Sequence, residues 1–282
     1  MTTFVYDGSF DGFLCAAGRA LGVDARGRRL PDAAVDAVPD AVANAVPDAG
    51  PSAPDPATAR IAAVGGGEAD LFSRRVDVIT DPAEADALRE ALRDRGGEAE
   101  IETLLHVHAS ADPRAPSLLL HYIAAALRAR GPVGSRLTDP RILAVRKLYE
   151  KVRLEINRFM GFLRFRRAAE NLWYAPVNPN ADIVGFLGPH FADRFCGQSF
   201  LIHDVRRDTA FWHSGGACGL AVLSDMPEAL RERLRRDVEP EITGLWKEYF
   251  RRIAVPQRRN PRQQARLLPR RYRPLLTETE DG

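Results

Sequence analysis

Seven apolar residues, Ile142, Val145, Tyr149, Val152, Ile156, Phe159 and Leu163, follow one another at intervals of three and four. That is the spacing of one buried helix face, so it commits this stretch to a long, core-packed α-helix. On the same wheel Lys147, Lys151 and Arg158 fall opposite the stripe, where they face solvent and can meet a ligand; Arg146 and Arg153 flank its edge.

The helix opens an arginine-rich half. Residues 141–167 carry nine Lys/Arg against two acids, and residues 251–273 carry nine Arg and no acid. Residues 1–137 hold 14 basic and 20 acidic side chains, net −6, whereas residues 138–282 hold 26 and 18, net +8. Clustered guanidinium groups are the footprint of a polyanion site, because each one that displaces a condensed counterion from a phosphate backbone adds affinity. With 37 Arg and only 3 Lys, part of this charge is ordinary solvated surface.

The 282 residues, 45% of them hydrophobic, suffice for one large or two modest packed domains. The sequence contains no run of about 18 apolar residues and no secretory signal in MTTFVYDGSF, so a cytoplasmic protein with no membrane partner is expected. Cys15, Cys196 and Cys218 form neither a disulfide framework nor a metal knuckle, and His106, His108 and His190 lack ligand spacing. Neither a metal site nor a cofactor is predicted.

Four segments follow from composition and period. Residues 1–26 read as a β-turn-α element, with strand TFVY, turn Asp7-Gly8 and a helix capped by Ser9. Residues 27–58 collapse to Ala, Asp, Pro and Val with no aromatic residue, the composition of a linker. Residues 59–137 read as mainly helical, with a strand at Val76–Ile79 and helices at Pro82–Arg95, Ala99–Ser110 and Ala115–Arg130. Residues 138–282 form a basic α+β region: the long helix, two strands around Glu170-Asn171, a helix from Ala181 to Phe195, three strands from Phe200 to Leu223, and helices interrupted at Pro240. The fold class expected is α+β, with helices on a small antiparallel sheet.

Candidate chemistry is sparse. Asp7 and Asp11 sit four residues apart at a strand-to-helix turn, where carboxylates can aim at a metal or simply complement the helix dipole. His203 and Asp204 are neighbours on a strand, so their side chains point to opposite faces and cannot form a general-base pair together. Arg206 and Arg207 beside them suit a phosphate. Trp173, Tyr174, Phe200, Phe211, Trp212 and Tyr272 lie near basic residues, an arrangement that suits unstacked bases, although alternation along a strand buries half of any such set. In the tail, Arg258, Arg259 and Asn260 precede a short helix and Arg270, Arg271 and Tyr272 follow it, which suggests a sequence-independent backbone clamp.

The blocks YDGSFDGFLCA (Tyr6–Ala16), RFRRAAENLWYAPVNPNADIVGFLGPHFADRF (Arg164–Phe195), LIHDVRRDTAFWHSGG (Leu201–Gly216) and RRNPRQQARLLPRRY (Arg258–Tyr272) resemble, in order, proteins with the DUF4130 domain. That resemblance implies DNA metabolism or repair, with a radical SAM protein or a uracil-DNA-glycosylase-like module as partner, and no settled reaction. The Ala/Pro/Asp insertion and Arg273, where an aromatic residue is expected, depart from the pattern. The leading expectation is a protein that binds DNA, single-stranded or damaged by preference, and acts with a separate catalytic partner. Its interface would comprise Lys147, Lys151, Arg158, Arg164, Arg166, Arg206, Arg207, Arg258, Arg259, Asn260, Arg270, Arg271 and Tyr272. The alternatives are a nuclease- or glycosylase-type enzyme using Asp7 and Asp11, or His203 and Asp204, and a protein adaptor for a radical SAM enzyme.

Overall fold

A computed structural model describes residues 2–22, 59–64, 74–129, 131–235, 238, 240–253, 260, 262–263, 268 and 270–276. The expected linker, 27–58, and Arg258 and Arg259 lie outside these residues. The chain divides into two compact units, Met1–Val152 and Arg153–Gly282. The division falls inside the long helix rather than ahead of it.

In the first unit, strand β1 (Thr2–Tyr6) is central in a three-stranded parallel sheet, flanked by β2 (Ala59–Ala63) and β3 (Arg74–Asp77). Ser9 caps helix α1 (Phe10–Leu21) by accepting from the Gly12 N–H at 2.9 Å, and Gly22, at φ 59°, closes it in the left-handed region. Only a residue without Cβ adopts that backbone cheaply. Asp81 caps α2 (Pro82–Gly96) by accepting from the Ala83 N–H, with Pro82 at the first helical position where no N–H is needed. Helices α3 (Glu98–His108) and α4 (Ala115–Arg128) complete the unit. Phe13, Leu14, Leu88, Leu92, Leu104, Leu119 and Ile123 share one core with Ile142, Val145 and Leu148, from the start of α5 (Pro140–Phe162).

The second unit holds a five-stranded sheet in the order β4-β5-β6-β7-β8: Arg166–Ala169, Leu172–Val177, Phe200–Asp204, Thr209–Ser214 and Ala217–Val222. Helix α6 (Val184–Arg194) connects β5 to β6, and its Gly188 lies directly against the Phe211 ring. Because a helical crossover returns the chain in the same direction, β5 and β6 pair in parallel, with Trp173 opposite Phe200 and Val177 opposite Asp204. The remaining pairings are antiparallel. Helices α7 (Glu228–Leu234) and α8 (Pro240–Ile253) follow, and residues 270–275 form a 3-10 turn.

The α+β class stands, with two amendments. The sheet expected to be antiparallel is mixed, and the N-terminal β-turn-α element belongs to a parallel sheet of its own. Among the described residues no helix is long and apolar enough to cross a membrane.

Candidate nucleic-acid interface

The two units bind their arginines differently. In the first, guanidinium groups meet carboxylates: Arg19 with Glu84 at 3.1 Å, Arg75 with Asp77 at 2.8 Å, Arg93 with Glu98 at 2.6 Å, Arg114 with Asp112 at 2.8 Å, and Arg89 with Asp11 and Asp86. In the central block of the second unit they meet main-chain carbonyls. Arg164 donates to Gly161 O (2.8 Å) and Leu163 O (3.1 Å), and Arg167 to Glu170 O (3.0 Å). Arg166 donates to Leu234 O (2.8 Å), its guanidinium 5.1 Å above the Tyr174 ring. Exposed Arg206 donates to Asn180 O at 2.6 Å. Arg207 spans both kinds, reaching Asp204 Oδ2 at 2.6 Å and the carbonyls of Pro179 and Asn180. A carbonyl dipole fixes a guanidinium without cancelling its charge, so these bonds leave the positive field of Arg166 and Arg206 in place. Further along, Arg231 pairs with Glu228, and Arg251 and Arg252 pair with Glu248.

On helix α5 Lys147 and Lys151 are exposed as expected, whereas Arg158, also expected to face solvent, is half-buried. Asn260 is exposed, and its Oδ1 accepts from the Gln263 N–H, capping the turn that follows. Arg270 and Arg271 stand on the terminal 3-10 turn. Tyr272 requires a correction. It is 4% exposed, packs edge-on against Phe159 at 4.7 Å between ring centroids, and its hydroxyl donates to the Glu155 carboxylate. A ring in that position offers no face to a base. Tyr174, Phe200 and Phe211 are core as well, while Trp173 and Trp212 stay half-buried, the Trp212 indole lying against Gly219.

The catalytic candidates are divided between the two units. Asp7 accepts from the Ser9 N–H (2.9 Å), the Ser9 hydroxyl (2.6 Å) and the Thr80 hydroxyl (2.9 Å), and the Ser9 bond above all holds its carboxyl below the usual range. It is therefore an exposed carboxylate held by local hydrogen bonds at the start of α1, and Asp11 is paired with Arg89. Both belong to the first unit, whereas His203 and Asp204 belong to the second. Asp204, fully buried, accepts from the N–H groups of Arg206 (2.9 Å) and Arg207 (3.2 Å) and from the Arg207 side chain, which fixes the β6–β7 turn. His203 projects from the opposite face, its Nδ1 2.8 Å from the Tyr174 hydroxyl and its Nε2 3.4 Å from Asp208 Oδ1. The Nε2 separation suits an ion pair but not an aligned hydrogen bond, and burial pushes the imidazole below its ordinary pKa. The described residues contain no group of three or more metal-ligating side chains.

With this arrangement in view, a model of a domain of unknown function, DUF4130, matches residues 113–278, more than half of the chain. The chain belongs to the DUF4130 family. No curated protein and no solved structure matches it. The DUF4130 span contains the arginine block, the mixed sheet and the tail, but not the Asp7–Asp11 turn.

Within the DUF4130 span, two residues absent from the sequence reading, Glu155 and Asp208, organise the site. Buried Glu155 accepts from the N–H groups of Asn180 (2.9 Å) and Ala181 (3.0 Å), while Arg206 and Arg207 hold the Asn180 carbonyl. The β5–α6 loop is thus gripped on both sides of one peptide. Asp208, at φ 60°, turns the chain between β6 and β7, and the Ser224 hydroxyl and N–H hold its carboxyl low. An Asp between two strand patterns was a visible turn signal. Nothing local marked Glu155 as buried, because its partners lie 25 and 26 residues away.

Proposed function

We propose that this DUF4130 protein binds nucleic acid, DNA foremost, through the basic residues of its C-terminal half, and acts with a separate catalytic partner. One observation carries the reading: Arg166 and Arg206 are fixed by carbonyl oxygens, so they present oriented positive charge. Arg164, Arg167 and Arg207 share this anchoring in part. Such charge favours phosphate over any particular base. Of the aromatic residues read from the sequence, Trp173 and Trp212 stay half-buried and could stack on an unpaired base, which favours single-stranded or damaged DNA. The resemblance supplies the partner of this proposal, a radical SAM protein or a uracil-DNA-glycosylase-like module, which would bring its own cofactor.

The test is a fluorescence-anisotropy titration of single- and double-stranded DNA of unrelated sequences at several salt concentrations. The parent should bind unrelated sequences about equally and single strands in preference to duplex, with affinity falling steeply as salt rises. Replacing Arg258, Arg259, Arg270 and Arg271 together by Ala should flatten the log–log salt dependence by about 0.9 per lost duplex phosphate contact, or about 0.7 on single strands. A parent protein that binds neither form at low salt overturns the proposal.

A further inference from the structure

The two edges of the five-stranded sheet are guarded differently. The β4 edge has four residues, two of them Arg166 and Arg167, a register shift between Arg167 and Ala169, and a covering bond from the Val238 N–H to Arg167 O at 2.9 Å. Charge, irregularity and cover are the devices by which proteins keep a sheet edge from pairing with another chain. Among the described residues the β8 edge has none of them. Its six residues, ACGLAV, include no charge and no proline, and they pair with β7 in unbroken register from Ala217 to Val222. The uncharged window extends from Ser214 to Ser224, although 28% of the chain is charged. Cys218, Leu220 and Val222 share one face, Leu220 being 64% and Val222 42% exposed.

We propose that β8 pairs antiparallel with the β8 of a second copy of this chain, joining two five-stranded sheets edge to edge. The absence of charge selects this occupant. In a two-fold seam a charged residue on the axis meets its own image and one beside it lies close to its own image, which is destabilising, so neutrality at the centre of the strand suits self-pairing. A strand from a different protein imposes no such condition, because it can bring the opposite charge. Directly opposed residues lie on one face, so the register centred on Leu220 sets Leu220 against its image and Cys218 against the second copy's Val222. That register gives each exposed apolar side chain an apolar partner. The inference is independent of nucleic-acid binding.

The experiment is light scattering coupled to size exclusion on the full chain, nuclease-treated and in high salt so that nucleic acid cannot bridge two copies. The parent is expected at twice the monomer mass, and Leu220→Lys should raise the dimer dissociation constant at least about tenfold, equivalent to about 1.4 kcal/mol. Its circular dichroism should match the parent, since most of this side chain is in water in the single chain. In a Cys196→Ser, Cys218→Ser background, Leu220→Cys should oxidise to a disulfide-linked dimer, because directly opposed strand residues sit within disulfide reach. Val205→Cys in the same background, also exposed but off the seam, should not. A monomeric parent overturns the proposal and leaves this edge to a strand from another protein. A Leu220→Lys variant that dimerises like the parent, or a Leu220→Cys variant that stays unlinked, overturns it equally.

Discussion

Single side chains here are read correctly only with their partners in view. Tyr272 ends an arginine-rich tail and looks like a stacking residue, yet its hydroxyl serves a buried carboxylate. Tyr272→Phe should therefore lower stability by about 1.5–3 kcal/mol, the range for a hydrogen bond to a charged group, and leave DNA affinity unchanged. Urea denaturation beside a binding titration checks this, and the reverse pattern would restore Tyr272 to the interface. His108 offers a test in pH. It packs against Tyr6, Phe10 and Phe13, its Nε2 3.2 Å from the Tyr6 hydroxyl, and burial lowers its pKa to about 4. The folded pKa lies below the unfolded value of about 6.5, so the unfolded chain takes up the proton first. Stability is thus lost as pH falls from about 6.5 to about 4, by on the order of 2 kcal/mol once the partial exposure of the ring is allowed for. His108→Phe should flatten that part of the profile in pH-dependent thermal melts.

At the scale of elements, α6 decides how the mixed sheet is built. It connects two parallel strands and reaches β7 so closely that a Cβ on Gly188 would lie 2.2 Å from the Phe211 ring. No rotation of a buried ring opens that much room. Gly188→Ala should destabilise the protein by about 1–3 kcal/mol, the usual effect of overpacking, with a cooperative transition retained. A variant as stable as the parent in denaturant titration would show that α6 can lift away from the sheet. Helix existence was legible here, since the apolar period and the caps Ser9 and Asp81 are local chemistry. Strand partnership was less so. ARIAA is too short and too plain to announce a strand, and it becomes β2 by lying beside β1. Val76–Ile79 was expected as a strand, but β3 spans Arg74–Asp77 and leaves Ile79 80% exposed.

For the whole molecule, the family span and the folding units do not coincide. Residues 113–278 begin just before α4, whose Leu119, Leu120, Ile123 and Leu127 are buried in a core built with α1, α2 and α3. A fragment limited to that span would leave this apolar face in water. Expressed alone, it should bind a hydrophobic dye and form aggregates larger than a dimer where the full chain does not, because a contiguous exposed apolar patch favours association. A fragment that forms nothing larger than a dimer by light scattering and melts cooperatively would contradict the placement of α4. Salt dependence belongs to the same scale, since the C-terminal half carries net +8 against −6 for residues 1–137.

The sequence by itself determined the long amphipathic helix, the capped helices, the β6–β7–β8 meander and the charge asymmetry, because each rests on periodicity, turn chemistry or composition within a short stretch. Only the tertiary structure decided that β5 and β6 run parallel, that Tyr272 and Glu155 meet across 117 residues, and that Arg166 and Arg206 rest on carbonyls rather than carboxylates. Those features depend on which distant groups come within a few ångströms of one another. A side chain's charge is written in the sequence; whether that charge is cancelled, buried or presented depends on its neighbours in space.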